Sequence, residues 1–149
     1  MTADLFKTVL VPIADPDDAR RTARALKPHL NTDSAVIVTH VVPKGGGVPD
    51  KASVEQREEY AEAAYEGFRD EFGADVGELT PLTLYGRDVA ETIADGAIEA
   101  GATAIAFVPR EASRWAKLLS GDVSERLVMG SDVPVVALPG GAESGTREE

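Results

Sequence analysis

Unbroken apolar runs, each about one strand long, alternate along this chain with helix-length segments that are apolar on one face only. The runs are Thr8-Val9-Leu10-Val11-Pro12-Ile13, Ala35 to Val42, Ala104-Ile105-Ala106-Phe107-Val108 and Val133-Pro134-Val135-Val136-Ala137-Leu138. A strand that is apolar at nearly every position has both faces covered, as in parallel sheets wrapped by helices. Leu79 to Tyr85 instead alternates and contains Pro81, which predicts an edge strand. Strands alternating with helices imply an α/β fold: a single doubly wound domain, with a five-stranded parallel sheet and helices on both faces.

The helix ends are written in capping residues. Asp15 caps the first helix, Pro16 suits its first position, and Asp17 and Asp18 complement its positive end. Arg20, Arg24 and Lys27 read as a solvated face balancing those carboxylates. Ser53 and Gln56 predict a capping box for the second helix, whose stripe is Ala61, Ala64, Tyr65, Phe68 and Phe72, with Gly73 or Gly77 as its stop. Asp88 with Glu91 opens the third helix, lined by Ala90, Ile93, Ala94, Ala97 and Ile98 and closed by Gly101. Asp122 with Glu125 opens the last.

The domain is expected over residues 1–139, and the small, charged residues 140–149 read as a disordered tail. No cysteine is available for a disulfide or a thiolate metal site. Neither a membrane-length apolar run nor a secretion leader appears, so a cytoplasmic location without membrane insertion is expected. The 26 acidic against 15 basic residues give a net charge of -11, which repels nucleic acid. With ten Arg and only five Lys, this acidity reads as adaptation to a salty cytoplasm, where screening relieves self-repulsion.

In an open α/β sheet, ligands bind outside the carboxyl ends of the strands, and phosphates bind where a loop enters a helix. Here that loop runs from Pro109 to Ser120 and leads into Gly121-Asp122-Val123-Ser124. Arg110, Arg114 and Lys117 against Glu111 alone make it locally positive, either an anion clamp or a solvated loop. Trp115 reads as an anchor for the loop, and His40, at a strand end, as a structural histidine. No Gly-x-Ser-x-Gly elbow, Walker loop or zincin motif is present, and no Gly-x-Gly-x-x-Gly follows the first strand. No catalytic residue and no metal site are expected.

The chain resembles the universal stress protein family. The resemblance rests on Leu10-Val11-Pro12-Ile13, Thr39-His40-Val41-Val42-Pro43, Gly86-Arg87-Asp88-Val89-Ala90-Glu91-Thr92-Ile93, and Gly121-Asp122-Val123-Ser124-Glu125-Arg126 with Val133-Pro134-Val135-Val136. It implies the strand order 3-2-1-4-5 and a homodimer joined through the last strand, with Val133, Val135, Val136, Ala137 and Leu138 at the interface. Many members bind ATP through an Asp after the first strand and a loop patterned Gly-x-x-Gly, nine residues, Gly-Ser or Gly-Thr. Here Ala14 stands at the Asp position, Pro109 and Ala112 replace the first two glycines, eight residues separate Ala112 from Gly121, and Asp122 replaces the hydroxyl.

Those departures have physical consequences. Proline has no amide hydrogen to give a phosphate. An ionised Asp122 only accepts, and at contact distance it repels a phosphate by on the order of a few kcal/mol. The expected nucleotide site therefore comprises Ile13, Ala14, Asp15, Val41, Pro109, Arg110, Arg114, Gly121, Asp122, Val123 and Ser124. Three readings stay open: a homodimeric regulatory module with protein partners and no cofactor, a sensor of ATP or AMP, and a weak hydrolase.

Overall fold

A computed structural model of the chain describes residues 5–43, 51–73, 77–108 and 122–139. Among these residues the strands are β1 (Thr8–Pro12), β2 (Ala35–Pro43), β3 (Glu78–Gly86), β4 (Ala104–Phe107) and β5 (Val135–Ala137). They form one sheet in the order β3-β2-β1-β4-β5, with every pairing parallel. The helices are α1 (Pro16–Leu26), α2 (Lys51–Phe72), α3 (Val89–Ala100) and α4 (Asp122–Gly130). The fold class and strand order are those expected.

The two-residue period of the strands divides the core into two layers. Val9, Val11 and Ile13 of the first strand and its extension, with Val36, Val38, Ala106 and Val108, pack against Ala19, Ala23 and Leu26 of α1 and Ala61, Ala64, Tyr65, Phe68 and Phe72 of α2. Leu10, Ala14 and Ile105 pack on the other face against Ala90, Ile93 and Ala97 of α3 and Leu127 of α4. Burying each large side chain contributes roughly 1.5–3 kcal/mol. Phe68 and Phe72 are fully buried and stack with ring centroids 5.4 Å apart.

Central strand β1 is fastened to β4 at its start. Thr103 Oγ1 accepts from the Thr8 amide (3.0 Å) and faces the Leu5 and Thr8 carbonyls at 2.8 and 2.9 Å. The Thr103 amide donates to Thr8 O at 2.6 Å. Among the described residues edge strand β3 pairs only with β2, and it tolerates Pro81 in its middle. Helix α2 stops at Gly73 (φ 79) and α3 at Gly101 (φ 73), both in the left-handed conformation that only glycine adopts without strain.

Four expectations need correction. The second helix begins at Lys51, two residues ahead of Ser53, so Ser53 lies within the helix and is not the N-cap that a Ser53–Gln56 box requires. Ile98 is 52% exposed: the buried stripe of α3 runs through Ala90, Ile93 and Ala97, and Ile98 lies one residue around the helix from it. The last strand has ladder partners only over Val135–Ala137, shorter than Val133 to Leu138, since β4 offers just Ile105 to Phe107 opposite it. Asp18 is not on the solvated face of α1 but is 1% exposed. The basic face of α1 is accordingly neutralised elsewhere: Arg20 pairs with Asp17 (3.0 Å), whereas Arg24 reaches Glu71 of α2 (3.2 Å) and Lys27 donates to the Glu71 carbonyl (3.2 Å). The Arg24 guanidinium holds the Glu71 carboxyl below the usual range.

Candidate functional site

The carboxyl ends of β1, β2 and β4 meet where the sheet order reverses direction, between β1 and β4. The first wall is the turn from β1 into α1. Asp15 is the N-cap of α1, and its Oδ1 accepts from the Asp18 amide at 2.7 Å. Asp18 turns inward, and its Oδ2 accepts from the Ala14 amide at 2.9 Å. Two carboxylates thus hold the two ends of one turn. Ala14, 6% exposed, faces the layer of Leu10, Ala90 and Leu127. An aspartate here would have to put its charge into that apolar layer or displace it, so alanine suits the packing.

The second wall is the end of β2. The Ile13 amide donates to the Thr39 carbonyl at 2.9 Å, one step past the last rung of β1 proper. Val41 is half-buried and packs in the same layer as Ala14 and Val89. Between Ile37 and Val41, Thr39 is fully buried, and its Oγ1 has no hydrogen-bond partner among the described residues. His40 projects to the opposite face. It is 8% exposed, its Nδ1 lies 3.0 Å from the Ile13 carbonyl, and the Tyr60 ring meets it edge-on at 6.1 Å and 66°. Burial pushes the His40 imidazole below its ordinary value, and the Ile13 carbonyl and Asp15 pull it back only in part. The ring is therefore neutral at pH 7.

The third wall is where α3 and α4 meet. Asp88 caps α3 by accepting from the Glu91 amide (3.1 Å), and its Oδ2 binds Arg126 of α4 at 2.6 Å. The Arg126 guanidinium, then the Glu91 amide, hold the Asp88 carboxyl below the usual range. Helix α4 begins at Asp122 itself, so Asp122 is its first helical residue and not the N-cap that the Asp122–Glu125 box predicts.

The fold brings Ile13, Ala14, Asp15 and Val41 together. Pro109, Arg110, Arg114, Trp115, Lys117 and Gly121 lie outside the described residues, as does the expected tail at 140–149. Asp122, Val123 and Ser124 are placed by backbone only, on the first turn of α4. Along β5, Val133, Val135 and Val136 are half-buried and Ala137 is exposed, while Leu138 is 3% exposed within the core. Sequence reasoning missed Asp18 and Arg126, whose partners are set by tertiary contact. The only signal for Asp18 was its position three residues after a cap. Among the described residues no cluster of His, Asp and Glu could hold a metal ion, and no helix is long and apolar enough to cross a membrane.

The sequence profile of the Universal stress protein family matches residues 5–139. A universal stress protein from Archaeoglobus fulgidus is 27% identical and superposes with a TM-score of 0.63, covering 89% of this chain and 98% of that one. The universal stress protein from Archaeoglobus fulgidus solved in complex with dAMP is 25% identical, with a TM-score of 0.62 over 90% of this chain and 98% of that one. A universal stress protein solved with cAMP shares the fold at 14% identity and a TM-score of 0.61, covering 90% and 98%. No curated protein matches the chain.

Proposed function

Because the chain belongs to the universal stress protein family, we propose that it is a cytoplasmic regulatory module that binds a nucleoside monophosphate without turning it over. It acts on protein partners as a homodimer. The observation that carries this reading is the gap at the carboxyl edge of the sheet, where β1 turns away after Pro12 while β2 runs on to Pro43. Ala14, Val41 and Val89 belong to the apolar layer packed beside this edge, a surface suited to a base. The relative that holds dAMP supports a ligand of this class.

The loop composition argues against a triphosphate. Pro109 offers no amide, Ala112 stands where a glycine would allow close approach, and Asp122 adds a carboxylate at the start of α4. Each added phosphate brings more negative charge toward that carboxylate. Arg110 and Arg114 supply charge enough for one phosphate group.

Calorimetry with AMP, ADP and ATP in molar potassium chloride tests this. AMP is expected to bind below millimolar, with affinity falling as phosphates are added. Asp122→Ser is expected to raise ATP affinity about tenfold, or ~1.4 kcal/mol. ATP binding as tightly as AMP to the unaltered protein would overturn the reading. The damaged loop also favours a second reading, a module that works through protein contacts alone, and binding of none of the three nucleotides would select it.

A further inference from the structure

Ile13 is the point at which β1 leaves the sheet, and consecutive residues of β2 hold both of its backbone groups. Its amide donates to the Thr39 carbonyl (2.9 Å), and its carbonyl lies 3.0 Å from His40 Nδ1. In a regular parallel ladder, a residue that donates to position 39 accepts from the backbone amide of position 41. The His40 ring stands in for that amide. Strand parity sends the Val41 N–H and C=O the same way as those of Thr39, toward β1. With the Ile13 carbonyl already engaged, they point into the gap between the two strand ends.

We propose that His40 is a positioning residue of the nucleotide cleft: by occupying the Ile13 carbonyl, it keeps the Val41 backbone edge open for the hydrogen-bonding edge of a purine. This rests on the reading of the cleft as a nucleotide site. A carbonyl only accepts, so Nδ1 must carry the proton, and the neutral ring is the Nδ1–H tautomer. The surroundings fix the ring in that pose. Tyr60 of α2 packs against it edge-on, and the Tyr65 phenol, from the same helix, bonds the His40 backbone and Thr83 Oγ1 (2.8 Å). Without the ring, the Ile13 carbonyl is buried and unsatisfied. In a regular ladder its partner is the Val41 amide, so we expect the ladder to zip by one rung and close the edge.

Nuclear magnetic resonance on the full-length protein tests this, with AMP as the probe ligand. The unaltered protein is expected to show His40 in the Nδ1–H form and a Val41 amide exchanging at least a hundredfold faster than that of Thr39. His40→Leu is expected to slow Val41 exchange and weaken AMP binding, each at least tenfold. His40→Asn, whose side-chain NH₂ takes the place of Nδ1–H, is expected to restore both. An Nε2–H tautomer, a Val41 amide as protected as that of Thr39, or unchanged exchange in His40→Leu would overturn the proposal. The first two need only the unaltered protein, so they decide the matter where His40→Leu does not fold. An open Val41 amide with no AMP binding would sink the nucleotide reading while leaving the ring's hold on Ile13 standing.

Discussion

Asp17 and Asp18 are adjacent, have the same charge and sit in the same helical turn, yet they do different work. Asp17 is exposed and pairs with Arg20 across one turn, an arrangement that contributes between nothing and about 1 kcal/mol. Asp18 is buried and holds the Ala14 amide. Asp18→Ala leaves that buried donor without its acceptor, and the expected loss is about 1–3 kcal/mol in urea denaturation. Asp17→Ala is expected to cost less than about 0.5 kcal/mol. Equal losses would show that the inward turn of Asp18 does not hold the β1–α1 connection. This distinction was not legible in the sequence. First-turn carboxylates favour the helix dipole wherever they point, so composition and spacing give both the same value. The cap itself was legible, because Asp15 before Pro16 is a local device that needs no distant partner.

At the scale of elements, the pattern of apolar runs determined most of the outcome. β4 and all of β1 after Thr8 are apolar because helices cover both faces, and such a run has few other homes. Pro81 marked β3 as an edge because an interior strand could not forgo that amide. Strand ends were less legible: where a ladder stops depends on the neighbour's length, as β5 shows beside β4. The candidate site shares that limit, since the hold of His40 on Ile13 depends on the register of β1 with β2.

The same register yields a test of the proposed dimer. Ile105 N donates to Pro134 O, and Leu138 N donates to Phe107 O, so residues 134, 136 and 138 direct their backbone toward β4. Residues 135 and 137 direct theirs to the free edge. Ala137→Pro therefore removes an outward amide while sparing the ladder to β4. Light scattering is expected to show a dimer for the unaltered protein and a monomer for Ala137→Pro, with far-ultraviolet circular dichroism unchanged. A variant that stays dimeric would place the interface elsewhere.

For the whole molecule, the net charge of -11 on 149 residues is the dominant long-range term. With 26 acidic residues against 15 basic ones, carboxylates outnumber the cations that could pair with them, and the excess repel one another across the surface. Screening shortens the range of that repulsion from about 10 Å at 0.1 M salt to about 3 Å at 1 M. Calorimetric Tm is expected to rise by roughly 5 °C or more over that range of potassium chloride. A flat or falling Tm would remove salt adaptation as the meaning of the acidity.

The strand order carries one more consequence, for synthesis. Of these five strands β1 is made first yet lies in the middle of the sheet, and its bonds through Thr103 join residues 95 positions apart. Translation therefore delivers β1, β2 and β3 as a half-sheet whose innermost strand keeps a bare flank until β4 arrives. Through that interval the nascent chain presents the unpaired edge of an apolar strand, the kind of surface that invites aggregation until the ladder closes.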